Sequence, residues 1–327
     1  MFFKSYTEKL WGIKCKELDS DFAAQRIKGL NLYEAIKSAF FGDKNKKHKT
    51  LVDAFNYPKK GCGVVYENMK NEILKKGGKI HLNCKVLGIK TKNKKAYSIL
   101  TDKGEYQADI IVSSAPFKEM VCSLGELDKD ITDLASKLKF RNTILVYVEA
   151  DSETKLFEDN WIYVHSPHVQ TGRITNFANW TKDLQCGRKE NILALEYWAN
   201  DDEKLWNLSD EELINIAKKD LIDSALLKPQ DIKRSFVLKL HKSYPVYERG
   251  YKENLNKIYT ALDSFSHLYF IGRNGSFKYN NQDHSILMGL ACADKILGKA
   301  VNLWHINTDY DYQEDSHIPE SAANDKR

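Results

Sequence analysis

The chain has 327 residues, of which 42% are hydrophobic and 29% charged, and its formal net charge is +5. This length and composition suit a soluble globular fold of one large domain or two ordinary ones. The longest apolar runs, such as 144–148, are far shorter than the roughly 20 residues that span a bilayer, and the amino terminus lacks the features of a signal peptide, so we expect a cytoplasmic protein without a membrane span.

The cysteines and the positive charge indicate which metals, ligands and macromolecular partners to expect. Six cysteines stand far apart without a CxxC pair, which is typical of reduced thiols rather than of a zinc site or a disulfide frame, and we expect no metal. Lysine-rich runs at 42–49 and 90–95 are typical of solvated loops, so we expect no nucleic-acid partner. A phosphate-bearing ligand also suits a positive charge.

The first third of the chain is predicted to contain two helices and a set of strands. Apolar residues recur at helical spacing over 18–41, and a second helix is predicted from about Val64 to Lys76, where two glycines end it. Alternating patterns at 79–90, 96–101 and 106–114 then predict an antiparallel set of strands.

The remainder of the chain is predicted to be rich in strands. These are expected at 143–149, 161–165, 173–177, 192–198 and about 233–240, and they indicate a second, mostly antiparallel domain. A helix is predicted after Ser209, with Glu212 at the capping-box position. Near the end, the buried strand HLYFIG runs into a glycine-rich turn, and another helix opens at Asp283. The last twenty or so residues are polar and predicted to be frayed.

The stretch from Gly272 to Ser285, GRNGSFKYNNQDHS, is the main candidate site. Its glycines permit close approach of the backbone to a ligand, and the amino terminus of the following helix favours negative charge. Arg273 can pair with a phosphate or with a carbonyl oxygen. An ordinary strand-to-helix turn fits the same spacing equally well.

This stretch is similar to the final flavin-binding motif of UDP-galactopyranose mutases, in which GRxGxxxY leads into NQDHS. Bacterial proteins of the protoporphyrinogen-oxidase-like type have nearly the same pattern. The resemblance implies an α/β (α+β) fold, with a partial FAD-binding domain of the amine-oxidase/glutathione-reductase type and a mostly antiparallel substrate domain with helices. It also implies FAD as the cofactor, bound by Val86, Gly272, Arg273, Asn281, Gln282, Asp283 and Ser285.

Other stretches resemble the same family in the same order along residues 5–300. They include YTEKLWG at the start, WIYVHSPHVQTGRITNF in the middle and SYPVYERGY before the flavin motif. Without the resemblance, the aromatic residues in these stretches are typical of a core and the arginines of a surface. The resemblance implies that two arginines, Arg26 and Arg173, bind the diphosphate of a nucleotide sugar. The implied site is formed by Arg26, Trp161, Tyr163, Arg173, Tyr244 and Tyr279.

One expected motif does not occur in the sequence. A flavin protein of this kind should open with a strand, a GxGxxG turn and a helix, because those glycines let backbone amides approach the pyrophosphate. Gly61-Cys62-Gly63 follows a proline turn rather than a strand and is interpreted as a helix entry. We therefore expect the amino-terminal dinucleotide-binding half to be missing, because the chain is a fragment or a partner chain supplies that half; otherwise the flavin hypothesis is wrong.

The expected organisation follows the resemblance. It comprises a helical substrate-side segment (1–60), an FAD-domain portion (61–122), a substrate-binding sheet domain (123–262), a return to the FAD domain (263–300) and a polar tail (301–327). The leading functional interpretation is isomerisation of a nucleotide sugar in cell-surface glycan synthesis, with the flavin N5 rather than a side chain carrying the covalent step. The alternatives are an amine-oxidase or protoporphyrinogen-oxidase type oxidoreductase, and an inactive remnant or subunit of a split gene.

Overall fold

The computed structural model describes residues 2–19, 57–151, 154, 156–187 and 190–306. Its helices are α1 (Phe2–Trp11), α2 (Gly63–Lys75), α3 (Phe117–Cys122), α4 (Lys129–Ser136), α5 (Lys204–Asn207), α6 (Asp210–Asp223), α7 (Tyr251–Leu262), α8 (Gly272–Gly275) and α9 (Gln282–Ile296). Its strands are β1 (Val86–Lys92), β2 (Lys95–Thr101), β3 (Gly104–Gln107), β4 (Ile111–Ser113), β5 (Phe140–Ala150), β6 (Trp161–Tyr163), β7 (Arg173–Asn176), β8 (Asn191–Ala199), β9 (Ile232–Pro245) and β10 (Leu268–Phe270). The predicted mixture of helices and antiparallel sheet is confirmed.

The strands near the second helix differ from the prediction in two ways. Residues 79–85 are not a strand, because Asn83 has a φ of +53° and extended pairing begins only at Val86. The antiparallel set contains β1, β2 and β3 but not β4, which pairs in parallel with β10. Ile111, which pairs with Leu268 of β10, is buried in the core as a result.

A five-stranded sheet in the order β6-β7-β8-β5-β9 forms the middle of the described protein. The predicted strands at 161–165 and 173–177 are shorter than expected, since Tyr163 ends β6 and Phe177 begins a 3₁₀ turn. All the neighbouring pairs in this sheet are antiparallel, as predicted.

Helix α6 covers one face of this sheet. Leu213, Ala217 and Leu221 of α6 pack on Ile144 and Val146 of β5, and all of them are buried. Each fully buried leucine contributes about 1.5–3 kcal/mol to folding. The predicted capping box at the start of α6 is confirmed, because the Ser209 hydroxyl accepts from the amide of Glu212 and the Glu212 carboxylate accepts from that of Ser209.

A second core lies between the parallel strands and the helices of the carboxy-terminal part. Phe117 of α3 makes edge contacts with Phe270 of β10 at 5.3 Å and with Tyr259 of α7 at 5.8 Å between ring centroids. Phe277, which follows α8, is fully buried in the same core. This core fixes the turn after β10, where the flavin motif was predicted.

Some predictions fall beyond the described residues. These are the helix over 18–41 from position 20 onward, Arg26 within it, and the end of the polar tail from position 307. Within the described ranges, no helix combines the length and the apolar character that crossing a membrane requires.

Candidate functional site

The sheet face opposite α6 carries side chains from all five strands in matching rows. Directly opposed residues form one row across β6, β7, β8, β5 and β9, namely Tyr163, Arg173, Glu196, Leu145 and Leu238. The next row on the same face consists of Trp161, Thr175, Ala194, Tyr147 and Phe236. Because side chains alternate between faces along a strand, both rows point away from α6. The antiparallel pairing of β6 with β7 therefore brings the predicted residues Trp161, Tyr163 and Arg173 onto one face of the sheet.

Arg173 and Glu196 form an ion pair in the middle of the first row. The Nε and Nη2 atoms of Arg173 lie 2.7 and 2.5 Å from Oε1 of Glu196. Burial opposes ionisation of both groups and raises the pKa of Glu196. At Arg173 burial also acts to lower the pKa, but Glu196, Tyr244 and Tyr6 together outweigh it, so the pKa of the guanidinium is raised. Nη1 of Arg173 makes no hydrogen bond with the described residues.

Tyrosines surround this ion pair. The ring of Tyr6 in α1 lies 5.1 Å from that of Tyr163, and Tyr6 and Tyr244 both interact electrostatically with Arg173. Burial, followed by the neighbouring Tyr279, raises the pKa of Tyr244 to about 12. These phenols are neutral hydrogen-bonding groups beside a cation, which is the combination that the resemblance predicts for a diphosphate site.

Arg273 lies against the tyrosines of this site rather than away from them. Its guanidinium carbon is 5.1 Å from the ring centroids of both Tyr244 and Tyr279. Its Nε and Nη2 atoms donate to the carbonyl oxygen of Asn280 at 2.8 and 2.5 Å. Arg273 thus contacts both tyrosines, and its hydrogen bonds go to backbone carbonyl oxygens of the chain, those of Asn280 and Ser243. Its pairing with a ligand stays a prediction.

Trp161 lies at a separate aromatic group on the edge of the sheet. Its ring stacks on Trp180 at 5.9 Å, and Trp180 is 4.7 Å from Tyr57. Trp161 shares a sheet face with Tyr163 but occupies the next row. The structure therefore places it beside, rather than in, the group around Arg173.

The turn after β10 lies close to the backbone of β4. Gly272 has a φ of +74°, and a Cβ atom on Gly275 would lie 2.6 Å from the carbonyl oxygen of Ser113 at the end of β4. The turn thus packs directly on the carboxyl ends of two parallel strands, where ligands bind in open α/β sheets. Asn274 Oδ1 is buried without a hydrogen bond from the described residues.

The amino terminus of α9 also has groups available for a ligand. Its N-cap residue, Asn281, makes no side-chain capping hydrogen bond, so the first amides of α9 have no cap acceptor. An unpaired acceptor at Asn274 and exposed helix amides next to one another fit the polar edge of a flavin ring, which has both acceptors and a donor. The residues present therefore fit the cofactor that the resemblance implies.

The other predicted flavin residues have protein partners. Gln282 Oε1 accepts from the Tyr66 hydroxyl at 3.1 Å, and the Ser285 hydroxyl donates to Asn280 Oδ1 at 3.1 Å. The Asp283 carboxylate lies 3.1 Å from Nδ1 of His284. Val86 begins β1 opposite Thr101. The roles assigned to these residues stay predictions, as does the role of Arg26 outside the described residues.

Sequence reasoning missed Glu196, Tyr6 and Tyr147. Glu196 is the single charged residue in the otherwise apolar strand NILALEYWA, and a lone charge in a buried strand is a signal for a paired or functional group. Tyr147 stacks on Phe236 with ring centroids 4.5 Å apart. Neither contact follows from the sequence without the register of the sheet.

Comparison with known structures gives similar folds. UDP-galactopyranose mutase in its reduced form superimposes with a TM-score of 0.78 at 20% identity, covering 94% of this chain and 67% of that one. A candidate protoporphyrinogen oxidase from Exiguobacterium sp. 255-15 gives a TM-score of 0.55 at 18% identity, covering 78% of this chain and 53% of that one. A variant of putrescine oxidase gives 0.51 at 15% identity, covering 73% of this chain and 53% of that one. The chain thus spans between about half and two thirds of the length of these proteins.

A family match extends over most of the chain. Residues 4–254 match the family described as flavin containing amine oxidoreductase. This range includes all five strands of the central sheet and the Arg173–Glu196 pair. The chain therefore belongs to the family of flavin-containing amine oxidoreductases.

Proposed function

We propose that this chain is the substrate-binding and flavin-ring portion of a UDP-galactopyranose-mutase-like enzyme that isomerises a nucleotide sugar, as in cell-surface glycan synthesis. The observation that carries the proposal is the grouping of Arg173 with Tyr163 and Tyr244 of the sheet and Tyr6 of α1. The fold likeness to UDP-galactopyranose mutase supports it.

The chemistry of this group suits a diphosphate. Nη1 of Arg173 makes no hydrogen bond with the described residues, and the side chain is 31% exposed, so the guanidinium can donate to a phosphate oxygen. The Tyr163 hydroxyl adds a neutral donor from the neighbouring strand. Arg26, outside the described residues, is proposed as the second clamping arginine. The side chains bind and orient the substrate and need no proton transfer of their own.

FAD is proposed as the group that supplies the bond-making electrons when it is bound. Asn274, the backbone of Gly272 and the first turn of α9 would hold it, next to Tyr279. Arg273 stacks on Tyr279 and so links the flavin motif to the substrate residues. No described side chain is proposed as a nucleophile or general base.

Binding of UDP to the full chain tests this proposal. We expect calorimetry to detect UDP binding that Arg173→Ala weakens about tenfold or more, since a charge-assisted hydrogen bond contributes about 1.5–3 kcal/mol. Arg234→Ala is the matched control, because Arg234 pairs with Glu149 on the same sheet but is 71% exposed. Equal UDP affinity of the two variants would contradict the mutase proposal.

A second candidate is an oxidoreductase that passes a hydride from a substrate without a phosphate group to FAD. The buried Glu196 neutralises Arg173, and three apolar residues of β9 on the open sheet face are exposed, namely Phe236 (59%), Leu238 (44%) and Leu240 (41%). This apolar surface favours a substrate without phosphate. Reduction of the flavin by an amine or a porphyrinogen, with no affinity for UDP, would support this candidate over the mutase.

We also propose that a Rossmann half from additional polypeptide completes the FAD site. In support, β4 and β10 form a two-stranded parallel sheet in which Val112 is 43% exposed, whereas parallel sheets are usually covered on both faces. Helix α2 has no buried residue and exposes Met69 and Ile73. An absorbance spectrum tests this point: stoichiometric flavin in the isolated chain would contradict it, and a colourless protein that stays colourless with every added partner would instead indicate an inactive remnant.

A further inference from the structure

The loop between β6 and β7 is held by a lysine on one side. The Nζ atom of Lys9 in α1 donates to the carbonyl oxygens of Val164, Ser166, Val169 and Thr171 at 3.3, 2.8, 2.6 and 3.2 Å. Burial lowers the pKa of Lys9, while the charge of Asp220 acts in the opposite direction. One ammonium group thus contacts four carbonyl groups of this loop.

A buried carboxylate holds the same loop by its amides. Asp220 of α6 is 3% exposed, and it accepts from the amides of Gln170 and Thr171 at 3.1 and 2.7 Å. It also accepts from the Tyr197 hydroxyl at 3.0 Å. Burial raises the pKa of Tyr197 well above its ordinary value, so the hydroxyl remains a donor across the physiological range. Lys9 therefore binds carbonyl oxygens of this loop, and Asp220 binds amide groups of the same loop.

The position of this loop sets the position of Arg173. The Thr171 hydroxyl lies 3.1 Å from the carbonyl oxygens of both Arg173 and Glu196, and the Gly172 amide donates to the Glu196 carbonyl at 3.0 Å. Tyr163 immediately precedes the loop. A shift of the loop would therefore move both residues that the proposed function assigns to substrate binding.

We propose that Lys9 and Asp220 are positioning residues that hold Arg173 and Tyr163 in their binding geometry. Neither contacts Arg173 directly; they act through the loop at 164–172. Since α1 also carries Tyr6, which lies beside Tyr163, Lys9 ties the amino-terminal helix to the site as a unit. The effect on ligand binding rests on the proposed function, whereas the effect on the position of Arg173 does not.

Paired substitutions in the full chain test the proposal. Lys9→Met and Asp220→Asn remove one charge each, with Lys4→Met on α1 and Asp223→Asn on α6 as controls at exposed positions. We expect both test variants to speed hydrogen exchange at the amides of Gln170 and Thr171, to move the NMR signal of Arg173 Nε–H, and to weaken UDP binding by roughly tenfold to a hundredfold, as small misplacements of binding groups do. Lys9→Arg should restore these readouts, since a guanidinium has five donors.

The outcomes separate the two proposals. If wild type binds no UDP, the mutase proposal fails, and the Arg173 Nε–H signal still tests the positioning role. An unchanged Arg173 signal in Lys9→Met and Asp220→Asn overturns that role, even if the loop amides exchange faster. If either variant fails to fold, Tyr197→Phe, which removes one hydrogen bond to Asp220, provides a milder test of the same signal, and an unchanged Arg173 signal in it would overturn the positioning role.

Discussion

Arg173 and Glu196 face each other across β7 and β8, and two guanidinium nitrogens of Arg173 converge on one carboxylate oxygen of Glu196. The carboxylate is 8% exposed and the guanidinium 31%. Glu196 therefore holds Arg173 in place and at the same time competes with any anion for its charge. The proposed binding site therefore contains a counter-ion for its own arginine.

Replacing Glu196 by glutamine separates these two effects. Breaking a buried ion pair by removing one partner costs about 3–5 kcal/mol, and because Arg173 is partly exposed we expect Glu196→Gln to lower the free energy of unfolding by roughly 2 kcal/mol. UDP affinity should rise, since Arg173 loses its competing carboxylate. Urea denaturation and calorimetry measure the two effects, and a fall in both stability and affinity would show that Glu196 only orients Arg173.

The phenol of Tyr244 should ionise late in an alkaline titration. Its pKa is raised to about 12, chiefly by burial, above the ordinary value of 10.0. A folded-state pKa above the unfolded one contributes stability that is present below about pH 10 and is lost as the pH rises through about 12. An ultraviolet titration of wild type and Tyr244→Phe measures this; the variant should lack one late-ionising tyrosine and lose less stability in that range. Equal titration curves would show that the surroundings of Tyr244 do not raise its pKa.

The sequence predicted elements whose signals are local. The capping box at Ser209 and Glu212 involves residues three positions apart, and the strands around Val146 follow from residue type and alternation. The turn at Gly272 was also predicted from the sequence, because glycines between a strand and a helix are typical of a turn. These features depend on short-range geometry, which a sequence pattern contains.

The contacts that join distant segments were not predictable in the same way. β4 was predicted in the antiparallel set, but it pairs with β10, more than 150 positions later, because its buried side chains pack in the carboxy-terminal core. The Lys9 contacts with Val164 and Thr171 also span such separations. Only the register of the sheet reveals that Arg173 faces Glu196, since a one-residue slip would have turned Glu196 to the other face.

Removing the cap of α6 should destabilise the protein modestly. We expect Ser209→Ala to lower the free energy of unfolding by about 1 kcal/mol, because the Ser209 hydroxyl is the side-chain acceptor for the Glu212 amide. Ser224→Ala, just beyond the other end of α6, is the control, since its hydroxyl donates to a carbonyl oxygen that water can also satisfy. A loss at Ser209 no larger than that at Ser224 would mean that the cap contributes little to stability.

A side chain at Gly172 should disturb the site more strongly than its small size suggests. A Cβ atom there would lie 2.1 Å from the ring of Trp198, which is 5% exposed and packed by Tyr6. The ring cannot rotate away without moving Tyr6, so Gly172→Ala must shift the loop that leads into Arg173. We expect a loss of roughly 1–3 kcal/mol of stability, as overpacking usually costs, together with weaker UDP binding.

Gly125→Ala is the control for this substitution, because nothing lies within 4 Å of the added Cβ there. Thermal denaturation and UDP titration of both variants measure the difference. If Gly172→Ala loses stability but keeps the UDP affinity of Gly125→Ala, the loop can relax without moving Arg173. If Gly172→Ala loses both stability and UDP affinity while Gly125→Ala keeps both, the packing of Trp198 and the placement of Arg173 depend on the same backbone segment.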